Sequence, residues 1–242
     1  MRERFPYLRR MFELYREYNK VLSVSVNTAS LNSAIGTLFN VDINKFGVIN
    51  NVIDTKSIID SAKTPIAHED LKYFVKGKTF INMARLSIEK DHEKLIRAFN
   101  VVRNSFPDAR LLILGEGYLY FHLKELIQLL NLENHVYLLG YKENPHSYLK
   151  SADCFVLSSN HEGQPVVLQE ALILSKPIIS TDIPASVGVL SNTGALIVEN
   201  SEAGLIEGML NFLNHNSSDL RTHFDFSNYN KEAFGSFLKV IS

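Results

Sequence analysis

From Thr79 onward the chain alternates two kinds of apolar pattern. Short strand-like runs, mostly apolar, fall at 80–83, 111–114, 136–139, 154–157, 178–180 and 195–198. Between them lie stretches with helical spacing. Residues 92–104 place Leu95, Phe99 and Val102 on one face, and 119–130 place Leu123, Leu126, Ile127 and Leu130 on one face. Residues 202–213 do the same with Leu205, Met209 and Phe212. Strands that are apolar without alternation are buried on both faces. Strands of that kind, alternating with helices, predict an α/β fold with a parallel sheet of about six strands covered by helices on both sides. In such sheets ligands bind beyond the carboxyl ends of the strands, so the loops that follow each strand are where chemistry is expected.

The pattern before Thr79 differs. Pro6 opens a helical stripe over 6–18, with Leu8, Met11, Phe12 and Tyr15 on one side and Arg9, Arg10 and Arg16 away from it. The arginines read either as a solvated face over a core stripe or as a basic face for an anionic membrane surface. Residues 21–26 alternate apolar residues with serine, a strand signal. Asn27-Thr28 then caps a helix expected over 29–38, and 46–49 is a further short strand. Residues 55–78 are polar, contain Pro65, and read as a surface linker with a short helix.

Composition narrows the class. The 242 residues are 45% hydrophobic and 21% charged, ordinary for a globular chain. A net charge of −1 gives no support to nucleic-acid binding. The single cysteine, Cys154, excludes an intrachain disulfide and sits in an expected buried strand. A reducing, cytoplasmic compartment follows as the expectation. No run of about 18 apolar residues is present, so no spanning helix is expected.

The stretch 153–184 carries the strongest local signal. The strand at 154–157 feeds a polar loop, and Pro165 then opens an apolar helix running to about Leu174. Proline suits the first helical position because its missing N–H had no partner to lose. The first N–H groups of a helix lack internal partners and carry partial positive charge. Those of Gly163, Gln164, Val166 and Val167 are therefore expected to receive an anion such as a phosphate. Two acids flank this end, Glu162 in the loop and Glu170 inside the helix. Glu170 is a single carboxylate among apolar neighbours, which implies either a partner or a solvent-facing position. His161 adjoins Glu162 but is read as incidental. A second loop, 84–91, holds two cations, Arg85 and Lys90, which a diphosphate would require.

Glu162-Gly163-x-Pro165 followed by Glu170-Ala171 resembles the E-x7-E signature of retaining, nucleotide-sugar-dependent glycosyltransferases of the GT-B fold, family-4 type. Ser175-Lys176-Pro177-Ile178 fits the same pattern, and Arg85-Leu86 with Lys90 resembles that family's G-R-L-x-x-x-K-G. Ala84 and Asp91 stand where glycines are usual. The resemblance covers roughly 21–238 and implies a Rossmann-like donor-binding half. Its divisions are the end of an incomplete N-terminal domain at 1–54, a linker at 55–78, a donor domain at 79–223 and a crossing helix at 224–242. Ser23-Val24-Ser25 and Val48 to Asp54 match the close of the family's first domain.

The resemblance also implies roles. Arg85 and Lys90 would neutralise the diphosphate, and Glu162 would sit beside the transferred sugar. These three are the expected catalytic residues. Glu170 would hold the ribose hydroxyls. Gly163, Gln164, Pro165, Val166 and Val167 would line the donor, Gly115 and Gly117 would shape the nucleotide pocket, and Tyr141 with Lys142 would stand near the base. Tyr118 replaces a usual proline, and the family's acid after the fifth strand is missing between Ile183 and Leu190. Asp182-Ile183-Pro184 and Ser158 to Pro165 are similar to glycosyltransferase domains attached to teichoic-acid polymerases.

The function implied is transfer of a hexose from a nucleoside diphosphate sugar to a hydroxyl of a glycan or polyol-phosphate acceptor, with retention, in cell-wall or surface-glycan synthesis. No metal or other cofactor is expected. The location implied is cytoplasmic, with peripheral contact at the inner membrane face. Most of the first domain is expected to be missing, so the isolated chain would bind donor and turn over poorly. The alternative is a non-catalytic nucleotide-sugar-binding subunit partnering a teichoic-acid polymerase.

Overall fold

The computed structural model describes residues 21–23, 42, 46–48, 50–74, 77–215 and 222–241. The chain divides into two compact units, Met1–Ile53 with Asp225–Ser242, and Asp54–Phe224. In the first unit β1 (Val21–Ser23) pairs in parallel with β2 (Phe46–Val48). The helices expected at 6–18 and 29–38 lie outside the described residues.

The second unit opens with α1 (Thr55–Ser61), capped by Asp54, whose carboxylate accepts the Ser57 N–H at 2.9 Å. A 3-10 turn, His68–Phe74, follows. The polar stretch 55–78 therefore carries two helical segments. The regular alternation then begins with β3 (Thr79–Met83), α2 (His92–Ser105), β4 (Arg110–Leu114), α3 (Tyr120–Leu129) and β5 (Val136–Gly140). It continues with α4 (Pro145–Ser151), β6 (Cys154–Leu157), α5 (Val166–Ile173) and β7 (Ile178–Thr181). It closes with α6 (Pro184–Leu190), β8 (Leu196–Val198) and α7 (Glu202–Asn214).

All six strands β3–β8 are parallel, in the order β5-β4-β3-β6-β7-β8. Each apolar run read from the sequence falls on one of them. The pattern does not announce α4 or α6. Each is seven residues long and begins with proline, so neither is long enough to display a helical period.

Burial follows the alternation of strand side chains. Phe80, Leu111, Ile113, Cys154, Val156 and Ile179 face a core shared with α2, α3 and α7, including Leu95, Phe99, Leu123 and Met209. Their strand neighbours Ile81, Leu112, Phe155 and Ile178 are buried as well, so the opposite face is also covered. There α4 lies beside β3 and α5 beside β7. The two edge strands, β5 and β8, are mostly half-buried.

The strand order fixes where a ligand can enter. From β3 the chain steps outward through β4 to β5, then returns to β6 on the other side of β3 and steps outward again. The loops after β3 and β6 leave in opposite directions, which opens a crevice between them at the carboxyl edge.

The first unit also contains α8 (Phe226–Ile241). Its Asn230 amide accepts the Ile53 N–H at 2.9 Å and donates to the Ile53 carbonyl at 2.8 Å.

Candidate functional site

The loop after β3 is set by its neighbour. The Ala84 N–H donates to the Leu114 carbonyl at 3.0 Å and the Leu86 N–H to the Glu116 carbonyl at 2.9 Å. Two glycines permit this approach. A Cβ on Gly115, whose φ is +133°, would lie 2.0 Å from the Ala84 carbonyl oxygen, and one on Gly117 would lie 2.3 Å from that of Leu86. Gly115 and Gly117 therefore shape the site by letting two backbones touch. The loop ends at Asp91, where φ is 47°. This is the left-handed conformation for which glycine is usual, and aspartate is among the side chains that tolerate it. Asp91 also caps α2, accepting the Lys94 N–H at 3.1 Å. The departure from a glycine at this position thus keeps the backbone path and adds a cap.

The loop after β6 is stitched to this one. The Ser158 hydroxyl donates to the Lys90 carbonyl, and the Asn160 N–H to the Glu89 carbonyl, both at 2.8 Å. The Asn160 amide reaches the Asp91 carboxylate at 2.9 Å. Thr181, at the end of β7, donates to the Ser159 carbonyl at 2.7 Å. These bonds bring Glu162 to Lys90. The Lys90 ammonium lies 2.7 Å from each Glu162 carboxylate oxygen, and the Ser159 hydroxyl donates to one of them at 2.7 Å. Glu162 is only 8% exposed. A buried carboxylate needs such compensation, because desolvation without it is expensive.

Under the loop sits a buried polar pair. The Asn82 amide donates to the Val156 carbonyl at 2.8 Å, which ties β3 to β6. Its carbonyl oxygen therefore faces His92 Nε2 at 2.9 Å as an acceptor. This fixes the proton on Nε2 and leaves Nδ1 without a hydrogen-bond partner. Burial, followed by the nearby Lys90 charge, pushes the imidazole down to about 4, so it is neutral.

Arg85, Glu89, Lys90, Glu162, Gln164, Pro165, Val166 and Val167 line one cavity of about 370 Å³, floored by Met83 and Ala84. That is within the size range of small-molecule sites, roughly 300–1,000 Å³. All three residues expected to be catalytic are therefore brought together. The α5 end differs from expectation in two details. Pro165 is the residue before the helix rather than its first residue. The Val166 N–H is not available to an anion, because it donates to the Gln164 carbonyl at 2.9 Å. The tight turn that Pro165 imposes folds that donor back onto the loop.

The remaining expected residues lie outside this lining. Gly163 is exposed in the loop itself, as is His161. Tyr141 is 72% exposed at the turn after β5. Lys142 faces inward instead, donating to Asp70 at 2.6 Å beside Tyr148, whose hydroxyl bonds the same carboxylate oxygen. Glu170 faces α4. Its Oε1 is 3.6 Å from His146 Nε2, and His146 Nδ1 meets the Ser61 hydroxyl at 2.5 Å. Burial raises the Glu170 carboxyl above the usual range, and the adjacent imidazole opposes that shift. The sequence reading missed His146, Ser61, Asp70 and Tyr148. The one signal for His146 is its place just after Pro145 in a strand-end loop, and nothing local links it to Ser61, 85 residues earlier.

Residues 64–232 match the family described as glycosyl transferases group 1. The N-acetylgalactosamine-N,N'-diacetylbacillosaminyl-diphospho-undecaprenol 4-alpha-N-acetylgalactosaminyltransferase of Campylobacter jejuni is 33% identical over 178 residues, 72% of this chain and 46% of its own. The poly(ribitol-phosphate) alpha-N-acetylglucosaminyltransferase of Staphylococcus aureus is 27% identical over 172 residues, 71% of this chain and 32% of its own. Anabaena HepE, crystallised with UDP and glucose, superposes with a TM-score of 0.76 at 17% identity, covering 96% of this chain and 66% of HepE. The fold is thus that of GT-B glycosyltransferases. The chain spans less than half of the length of each of these curated relatives. Because the family match takes in the whole six-stranded sheet and both loops that meet at its crevice, the chain belongs to the glycosyl transferases group 1 family.

Proposed function

We propose that the second unit is the donor site of a retaining glycosyltransferase that takes a hexose from a nucleoside diphosphate sugar. The observation that carries this is the convergence of Arg85, Lys90 and Glu162 on one cavity at the point where the strand order reverses. A departing nucleoside diphosphate gains one negative charge on top of the two it already carries, and Arg85, Lys90 and the N-terminus of α5 balance it, so no metal is needed for that task. Glu162, held by Lys90 and Ser159, stands beside the sugar and stabilises positive charge at the anomeric carbon. Glu170 accepts the ribose hydroxyls, and Tyr141 stands at the base. Retention is supported by the Glu162/Glu170 spacing and by the alpha linkages in the names of two relatives, which an alpha-linked donor would give with retention.

The acceptor is a hydroxyl of a surface glycan or cell-wall polymer. The two named relatives act on an undecaprenol diphosphate-linked glycan and on poly(ribitol phosphate), and each supports an acceptor presented at a membrane or wall. Work at the inner membrane face fits that acceptor. Among the described residues no helix is long and apolar enough to cross a membrane.

Donor binding is the property to test. Calorimetric titration with UDP, GDP, CDP and UDP-sugars is expected to find one nucleoside diphosphate that binds the wild-type chain and not an Arg85→Ala/Glu170→Ala double variant. A folded chain that binds none of them would sink the donor-site reading.

A further inference from the structure

We infer that His146 is a positioning residue, clamped by Ser61, that holds the Glu170 carboxylate ready for a vicinal diol. This rests on the reading of Glu170 as the acid that takes the donor ribose. Three elements meet here. Ser61 ends α1, His146 lies in the first turn of α4, and Glu170 is inside α5. Ser61 grips the start of α4 twice. Its hydroxyl meets His146 Nδ1 at 2.5 Å, and its carbonyl accepts the Asn144 amide at 2.8 Å.

Ser61 and Glu170 together set where the imidazole proton points. Nδ1 could donate to Ser61, but a bare Nε2 lone pair would then face the carboxylate, so the tautomer with its proton on Nε2 is favoured. A neutral imidazole that accepts the Ser61 proton at Nδ1 carries its own proton on Nε2. A charged imidazole carries one there too, and Ser61 then donates to the Ile58 carbonyl, 3.4 Å away. In both states Nε2–H faces Glu170. Nε2 is buried without a hydrogen-bond partner, and its 3.6 Å distance to Oε1 is too long for a hydrogen bond. A shift of less than 1 Å closes that gap. Oε1 then has one lone pair held by His146, and the carboxylate keeps its other lone pairs for two hydroxyl donors.

The charge around the carboxylate is simple. From α4 it faces His146, whose other ring nitrogen meets the neutral Ser61 hydroxyl of α1. Asp60 and Lys63 pair with each other at 2.7 Å, Lys150 is exposed, and Tyr148 turns to Asp70. Burial favours the protonated acid, and His146 opposes it. A protonated acid gives up acceptor capacity, so His146 also keeps Glu170 in the form that binds a diol.

The test compares ribose preference with overall affinity. Whichever of UDP, GDP or CDP binds is titrated beside its 2′,3′-dideoxy form between pH 5 and pH 8. Wild type is expected to prefer the ribose form and to lose that preference on acidification. His146→Gln should cut the preference about tenfold at neutral pH, the scale of one hydrogen bond to a charged group. It should also move the acid decline to higher pH. Ser61→Ala, a milder change that keeps the backbone carbonyl, should act in the same direction, and the dideoxy form should bind all three proteins alike. Equal weakening of both ligands, or an unchanged preference and pH profile in both variants, would overturn the role of His146. The donor-site reading fails separately, if wild type binds none of the three diphosphates. The Glu170 assignment fails separately too, if Glu170→Gln keeps the ribose preference.

Discussion

Lys90 and Glu162 meet in a setting where each needs the other. The acid is buried, the ammonium is 20% exposed, and the contact engages both carboxylate oxygens. Removing one partner leaves a charge facing low dielectric, whereas removing both leaves neutral groups. Lys90→Met should therefore destabilise the chain by roughly 3 kcal/mol. Adding Glu162→Gln should recover part of that loss, as a urea-denaturation double-mutant cycle would reveal. Additive losses would mean the two residues act independently. His92 gives a prediction of a different kind. Its folded value of about 4 lies below its ordinary value of 6.5, so the unfolded chain takes up a proton that the folded chain refuses. Stability should fall as pH drops from 6.5 toward 4, by roughly 3 kcal/mol for this group at 1.36 kcal/mol per pH unit. His92→Gln should show a shallower acid decline between those limits, and an unchanged slope would show that His92 is not its source. At this scale the chemistry-bearing residues were half legible. Arg85, Lys90 and Glu162 stand in polar loops directly after apolar strands, where any reader of the pattern would look. The partners of Glu170 were not, because an α1 serine and an α4 histidine come together only through the packing of three helices.

The elements owe their legibility to different forces. The central strands are written plainly, since burial on both faces leaves little room for polar residues at 80–83, 111–114 or 154–157, where Asn82 is the one amide and is hydrogen-bonded through both its nitrogen and its oxygen. Helices α2 and α7 are long enough to repeat their apolar stripe. The seven-residue α4 and α6 are not, and α4 is the one that brings His146 to Glu170. Loop geometry was legible only as composition. The Gly115 and Gly117 pair reads as a weak glycine motif, and its cause is a contact between the backbones that follow β3 and β4. Gly115→Ala should therefore disturb the Arg85 loop without touching any ligand. Both the φ of +133° and the 2.0 Å approach to Ala84 oppose a side chain there. A loss of at least about 2 kcal/mol in stability is expected, with weakened nucleotide binding in the same titration. Asp91 supplies the opposite control. Asp91→Gly eases the left-handed backbone but removes the cap, so the two effects nearly cancel. Asp91→Ala removes the cap and keeps the strain, and should lose about 1–2 kcal/mol in chemical denaturation. Equal losses in the two variants would mean that backbone strain at Asp91 is negligible.

On the scale of the whole molecule, the site is a consequence of strand order. Two halves of one sheet run outward from the β3–β6 junction, and there the neighbouring loops diverge enough to admit a ligand. That order is not written in any local pattern. The alternation of strands and helices predicts a parallel sheet, but the neighbour of β3 is decided by the long return from β5 to β6. A donor bound at the junction should consequently tie the two halves together. Saturation at a hundred times the dissociation constant adds about 2.7 kcal/mol to folding stability, visible as a rise in the melting temperature. Hydrogen exchange by local opening should slow in the loops at 84–91 and 158–167, which line the cavity, beyond the general slowing that core amides such as those of α7 share through the gain in global stability. Protection confined to one of the two loops would place the ligand on one half of the sheet and remove the junction from the explanation. Protection of both that Arg85→Ala abolishes would tie the ligand's charge to this crevice. On the proposed donor-site reading, the same experiment on Glu170→Gln should preserve protection at 84–91, because it leaves Arg85 and Lys90 in place and removes only the ribose contact.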